Sequence, residues 1–370
     1  MSKKMRAARM HAVGQPLEVD LLEVPEPRPT DVVVEVKACG IVPNLKNVLD
    51  HLAEWYPHLT LPPLPAVFGL DPAGVVVAKG EQVHGIELGQ RVYVNPARYC
   101  GGCLYCRIGQ TSSCESYAYN GYFGFGPGSA DLYQDYPYGG LCEYMTAPQY
   151  SLVTLPDSVS FETAARFGYL GTAYHALKQA EAGPNDTVVV NGVSGTLGIG
   201  VALWALALGV RKVLGVARDR ELLERVRAIA PDRIEVHSTL DEESTTDWVR
   251  RRTGGEGASV VIDALGPGVS AENLLDAFGG LRRGGYHVNI GATLGPVPLN
   301  FNEVMQRDQR LAGGNWFTTA DGQEMAHLAE TGLVDLSVFE HEVFSLDDIN
   351  EAMAVFKNRH GGFSNYVIVP

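Results

Sequence analysis

Thr187-Val-Val-Val-Asn-Gly192-Val-Ser-Gly195-Thr-Leu-Gly198-Ile-Gly-Val-Ala-Leu-Trp204 is the stretch on which the fold turns. A valine run of this kind suits a strand buried on both faces, and the apolar residues after the glycines suit a helix. A glycine triplet alone is weak evidence. Set between a strand and a helix, inside a strand–helix–strand unit, it marks a dinucleotide site. Gly195 would admit a pyrophosphate to the backbone, and Gly198 would let helix and strand pack closely. The helix N-terminus adds free N–H groups and the positive end of its dipole. A plain glycine turn is the weaker alternative. The coenzyme contacts expected here are Gly192, Ser194, Gly195, Thr196, Leu197 and Gly198.

Downstream, strand and helix alternate. Strands are expected at 212–216, 233–237, 259–263 and 286–290, and helices at 199–208 and 220–230. Such alternation predicts an α/β doubly wound parallel sheet with helices on both faces. The second strand ends in Val216-Ala217-Arg218-Asp219. An NAD enzyme uses a carboxylate there for the ribose hydroxyls, which Ala217 lacks, whereas Arg218 can pair with a 2′-phosphate. NADP(H) is therefore expected over NAD(H), although Asp219 could still meet a ribose and Arg218 could be an ordinary solvated arginine. Leu265 and Ile290 complete the expected coenzyme contacts.

Upstream, the first ~150 residues read as all-β, with strands expected at 31–37, 74–78, 91–95 and 151–155. The period turns helical from Phe161 towards Gly183-Pro184. The domain organisation expected is 1–160, then 161–314 for the dinucleotide, with 315–370 returning to the first domain. Within the first domain, Cys100-Gly-Gly-Cys103-Leu-Tyr-Cys106 and Cys114 form a lobe at about 95–116. Four thiolates at such spacing suit one tetrahedral zinc, and a site filled by sulfur leaves no room for a reacting water. One structural zinc per chain is expected from Cys100, Cys103, Cys106 and Cys114. Free thiols, disulfides or an iron–sulfur cluster are weaker readings.

The formal net charge of −14 would repel a phosphate backbone, so nucleic acid is excluded as a partner. No run approaches the ~18 apolar residues of a membrane span, and the basic opening Met1-Ser-Lys-Lys-Met-Arg6 has no apolar region after it. A cytoplasmic protein is expected.

The order of β-rich domain, cysteine lobe and dinucleotide unit resembles the zinc-containing medium-chain alcohol dehydrogenases along essentially the whole chain. The matching runs are Lys37-Ala-Cys-Gly-Ile41, Phe68-Gly-Leu-Asp-Pro-Ala-Gly74, Gly139-Gly-Leu-Cys-Glu-Tyr144, Gly171-Thr-Ala-Tyr-His-Ala-Leu177 and Gly257-Ala-Ser-Val-Val-Ile-Asp263. The resemblance implies a GroES-like catalytic domain, a Rossmann coenzyme domain, a homodimer or homotetramer, and a catalytic zinc in the cleft between the domains. The chain departs from the family at that zinc. The first ligand, a cysteine, is replaced by Val42, and the second, a histidine, by Leu70. The third falls near Gly168-Tyr169, where there is no thiol, and the family's proton-relay Ser or Thr has become Asn44. The cleft then resembles that of the zinc-free quinone oxidoreductases and enone reductases.

No catalytic zinc is expected, and a cleft without a Lewis acid cannot polarise an unactivated alcohol. Hydride transfer still serves an activated C=C, C=O or C=N group, with the protein orienting the partners and offering a proton. Tyr169, Asn44 and Tyr56 are the candidates for that offer, and packing is the plainer role of each. Tyrosines and phenylalanines crowded between Tyr117 and Tyr138 suit either an apolar, aromatic small-molecule substrate or packing of the lobe. The alternatives are an alcohol dehydrogenase or carbonyl reductase whose metal is held by His51, His58 and Asp71, and a non-catalytic NADPH-binding protein.

Overall fold

A computed structural model of the chain describes residues 3–356 and 359–370. Six strands pair in parallel, in the spatial order Ile234–Ser238, Lys212–Ala217, Thr187–Asn191, Ala258–Asp263, Leu281–Asn289, Arg310–Gly313. The chain works outward from Thr187–Asn191 in one direction, then crosses back to build the other half. The carboxyl ends of Thr187–Asn191 and Ala258–Asp263 therefore flank a topological switch point, where sheets of this kind bind ligands. Val188, Val189 and Val190 have no exposed surface, as a strand covered on both faces requires. On one face the helix Thr196–Ala207 is apolar almost all round and buries Trp204 completely. Gly200 lets it approach the helix Phe167–Gln179, since a Cβ there would stand 3.1 Å from that of Ala173. Helices Thr245–Arg252 and Ala271–Gly279 cover the other face around Trp248.

The second body centres on the strand Asp31–Gly40. It pairs antiparallel with Asp71–Lys79, Tyr144–Pro148 and, at its end, Ser364–Val369. That last strand also lies parallel to Glu340–Ser345. A GroES-like β-rich domain and a Rossmann parallel-sheet domain are thus both present, and the cluster of the parallel sheet runs on into Ala73, Tyr93, Val153 and Leu155 of the β-rich body.

Two local expectations need correction. The first 150 residues are not purely β, because helices Leu45–Trp55, Leu104–Arg107 and Ser129–Asp135 interrupt them. Leu45, Val48, Leu49 and Leu52 are the buried stripe of the first, a helical spacing that the surrounding valine runs obscured. The helical stretch after Phe161 is two helices, Phe161–Ala164 and Phe167–Gln179, divided at Arg166.

Candidate active site

At the switch point a cavity of about 620 Å³ is walled by Gly192, Ser194, Gly195, Ala217, Arg218 and Leu265, among others. Ile290 lines a separate hollow of about 360 Å³ with Gly291 and Gly314. Thr196, Leu197 and Gly198 open the helix rather than wall the cavity. Gly192 turns the chain at φ +88°, and a Cβ on Gly198 would meet Gly192 O at 2.1 Å. At Gly195 a Cβ would meet only that same carbonyl, at 3.2 Å. No side chain caps the helix Thr196–Ala207, so its first N–H groups remain available to an anion. The cradle fits a dinucleotide.

Arg218 is exposed on the rim of this cavity. Asp219 is otherwise engaged: its Oδ1 accepts from Glu221 N at 2.9 Å and Leu222 N at 3.0 Å, capping the helix Arg220–Ile229. One wall group, Arg359, and one buried carboxyl, Asp263, next in the chain to the wall residue Ala264, were missed in the sequence. Arg359 reaches the cavity from the returning segment, and an isolated arginine in a loop carries no local signal. Asp263, with no exposed surface, takes a hydrogen bond from Asn191 Nδ2 at 2.7 Å, while its other oxygen has no partner among the described residues. Burial pushes its carboxyl up to about 6.

In the lobe the four sulfurs of Cys100, Cys103, Cys106 and Cys114 all lie within 4.8 Å of one another. Backbone N–H groups turn towards them: Cys103 N to Cys100 Sγ at 3.4 Å, Cys106 N to Cys103 Sγ at 3.5 Å, Cys100 N and Ser116 N to Cys114 Sγ at 3.4 Å. Such donors stabilise thiolates, and four soft donors at this separation fit a zinc ion.

The third region is the cleft where the family resemblance places a catalytic zinc. Val42 and Leu70 are buried there, 4% and 2% exposed. Next in the chain after Leu70, Asp71, 1% exposed, receives a hydrogen bond from Tyr93 Oη at 2.8 Å. Its carboxyl presses on Gly168, where a Cβ would stand 2.1 Å from Asp71 Oδ1. Burial outweighs the Tyr93 hydrogen bond, the Gly168 backbone and the Arg166 charge, and pushes Asp71 up to about 7.

Asn44 and Tyr56 bracket the helix Leu45–Trp55, where Asn44 Oδ1 accepts from Asn47 Nδ2 at 2.9 Å, and Tyr169 lies in the helix Phe167–Gln179. Tyr56 and Tyr169 both pack against the apolar cluster of the β-rich body. Burial raises the Tyr169 phenol well above its ordinary range. His51 and His58 are exposed, one stacked on Trp55 at 5.1 Å and the other edge-on to Tyr56 at 6.3 Å. Neither gathers with Asp71; among the described residues the groupings of potential ligands are the four cysteines and the surface set His11, Glu18 and Asp20. The aromatic segment is largely internal packing: Tyr117, Tyr119, Phe123 and Phe125 contact one another at 5.2–5.6 Å, and Tyr119 meets Trp316 at 4.7 Å.

Fold and sites together define a two-domain oxidoreductase of the nicotinamide-dependent kind. Residues 28–157 match the family model of the alcohol dehydrogenase GroES-like domain, and residues 196–331 that of the zinc-binding dehydrogenases. The chain belongs to the zinc-containing alcohol dehydrogenase, or medium-chain dehydrogenase/reductase, superfamily. It is 31% identical to an alcohol dehydrogenase of Geobacillus stearothermophilus, covering 94% of each chain. It is 27% identical to an NAD-dependent alcohol dehydrogenase of Sulfurisphaera tokodaii over 96% of this chain and 97% of the relative. Among solved structures, AibC superposes with a TM-score of 0.84 at 25% identity, over 100% of this chain and 97% of that one. A thermostable alcohol dehydrogenase from Pyrobaculum aerophilum gives 0.78 at 25% identity, over all of both chains. No helix among the described residues is long and apolar enough to cross a membrane.

Proposed function

We propose that the protein is an NADPH-dependent reductase that acts by zinc-independent hydride transfer on an activated C=C, C=O or C=N group of a small, apolar or aromatic substrate. The observation that carries this reading is the cleft itself, where Val42, Leu70 and Gly168 offer no donor atoms at the family's ligand positions. A bound nicotinamide dinucleotide supplies the hydride. The chain's part is to hold that coenzyme on the glycine loop, to orient the substrate and to furnish a proton. In this reading Arg359 faces the pyrophosphate and Arg218 the 2′-phosphate. Asp219 supports NADP(H), because its carboxylate is committed to the helix cap rather than open to a ribose. Cys100, Cys103, Cys106 and Cys114 hold one structural zinc, and the protein works as a cytoplasmic homodimer or homotetramer.

A second reading, a zinc alcohol dehydrogenase, has the names of the relatives in its favour. Chelator treatment separates the two. NADPH consumption with an enone or quinone is expected to survive a chelator that strips catalytic zinc, and primary alcohols are expected to be oxidised hardly at all. Chelator-sensitive oxidation of ethanol or benzyl alcohol would establish the second reading.

A further inference from the structure

Among the described residues, Asp71 is a buried carboxyl next to Leu70 and against Gly168, at the family's ligand positions, that none of the roles above employs. Its surroundings are set by four elements and by the phenol of Tyr122, itself raised by burial. From the strand Arg91–Val94, Tyr93 donates to Oδ1 at 2.8 Å. From the strand Asp31–Gly40 comes the thiol of Cys39, itself raised by burial. The helix Phe167–Gln179 contributes the Gly168 backbone and the Tyr169 phenol. From the break between two helices comes Arg166, 6% exposed.

Two geometric facts give this carboxyl a place in the chemistry. It fills the space that a side chain at position 168 would take, which the family resemblance gives to the third metal ligand. Tyr93 also marks Oδ1 as the acceptor, so a neutral Asp71 carries its proton on Oδ2. Val42 and Leu70, the other walls, have no acidic hydrogen.

Arg166 ties this carboxyl to the rest of the molecule. Its Nη1 donates to Ser364 O at 2.7 Å and its Nη2 to Gly362 O, and the guanidinium plane lies 4.5 Å from the ring centre of Phe339. Gly362 N in turn donates to Ser194 O of the glycine loop at 2.8 Å, and a Cβ on Gly362 would meet Gly195 O at 2.3 Å. One buried cation thus touches the segment braced on the coenzyme loop and sets the field at Asp71.

We propose that Asp71 is the proton store of the cleft, standing where the family places its metal, and that Arg166 is the positioning residue that holds its charge balance. The proposal rests on the reductase reading and deepens it. In the step, the acceptor carbon gains a hydride from the reduced nicotinamide, and its partner atom, oxygen or the α-carbon, gains the proton. The Oδ2–H bond of Asp71 breaks and its electron pair stays on the carboxylate. Tyr93 and the Arg166 charge stabilise that anion until water returns the proton. Reduction therefore needs Asp71 protonated, and the rate falls as pH rises through about 7, the range to which burial lifts this group.

The experiment uses full-length protein with its zinc in place. Difference infrared spectra of the coenzyme-free protein, titrated from pH 5 to pH 9, report carboxylic C=O absorption without any turnover. A band titrating near neutrality and absent from Asp71→Asn is the expected result. Asn is the neutral isostere, so Asp71→Asn should fold and bind NADPH within about two-fold of the parent. Its enone reduction should fall by ~10²-fold, as for loss of a general acid, and lose the alkaline limb of kcat/KM. Arg166→Gln should move the infrared band to higher pH and the alkaline limb with it, and Arg166→Lys should restore both. Tyr169→Phe should leave the limb in place. If Asp71→Asn keeps the limb, or if no band titrates, the proposal is overturned. If no acceptor consumes NADPH although the band titrates as stated, the reductase reading fails and takes the proposed step with it, leaving Asp71 as a carboxyl that titrates near neutrality.

Discussion

Arg218 and Gly198 show how differently single residues of one site can be tested. Arg218 is exposed and makes its contribution only when a 2′-phosphate arrives, so Arg218→Ala should fold normally. NADPH should bind one to two orders of magnitude more weakly, as for a charge-assisted contact of ~1.5–3 kcal/mol, with NADH nearly unchanged in the same fluorescence titration. Gly198 is the opposite case. A Cβ placed 2.1 Å from Gly192 O forces the loop apart, so Gly198→Ala should lower the melting temperature and weaken NADPH and NADH alike. The glycine loop was legible in the sequence because backbone geometry forces the residue type, and Gly192, Ser194 and Gly195 line the cavity at the switch point. Asp71 with Tyr93 and Arg166, and Arg359 at the coenzyme cavity, were not legible in these placements. Their positions differ by up to nearly three hundred residues, and only the sheet pairing and the chain's return bring them together.

At the scale of elements, the cysteine lobe and the helix caps carry the clearest expectations. The lobe has only short helices, Leu104–Arg107 and Thr111–Ser113, and leaves Leu104, Tyr105 and Ile108 exposed. It has too little core to hold itself, and structural zinc contributes on the order of 10 kcal/mol in small folds. Cys103→Ser should therefore give poorly soluble protein, and elemental analysis of the parent should find one zinc per chain. For the helix Arg220–Ile229, Asp219→Ala removes two capping bonds and should cost about 1 kcal/mol in urea unfolding. The same variant should leave NADPH affinity intact, whereas a ribose-binding Asp219 would show as a loss for NADH. Strands and helices of the parallel sheet were readable because burial on both faces leaves long apolar runs. The helix Leu45–Trp55 was not, since its stripe of Leu45, Val48, Leu49 and Leu52 lies in a segment dominated by valine strands.

Considered whole, the molecule is two bodies sharing one seam. Trp316 packs against both apolar clusters, and its Nε1 donates to Asn95 Oδ1 at 3.0 Å, while Asn95 Nδ2 donates to Phe317 O at 3.3 Å. Asn95→Ala should leave each body folded yet loosen the seam, seen as faster hydrogen exchange around Trp316 and a weaker response of tryptophan fluorescence to coenzyme. That seam follows from the threading of the chain. The strand Ser364–Val369 closes the sheet by setting Ile368 opposite Cys39 and Val367 opposite Gly40, almost the full chain apart. During synthesis, the parallel-sheet domain has all its strands by Gly313 and can fold while the earlier β-rich body still lacks a central partner. The β-rich body is then expected to keep its edge at Cys39 open until the strand Ser364–Val369 leaves the ribosome. A nascent chain stalled before Ser364 should resist protease over the parallel-sheet domain and be cut in the segment around Val42, which makes this late strand a latch on the order in which the two bodies are born.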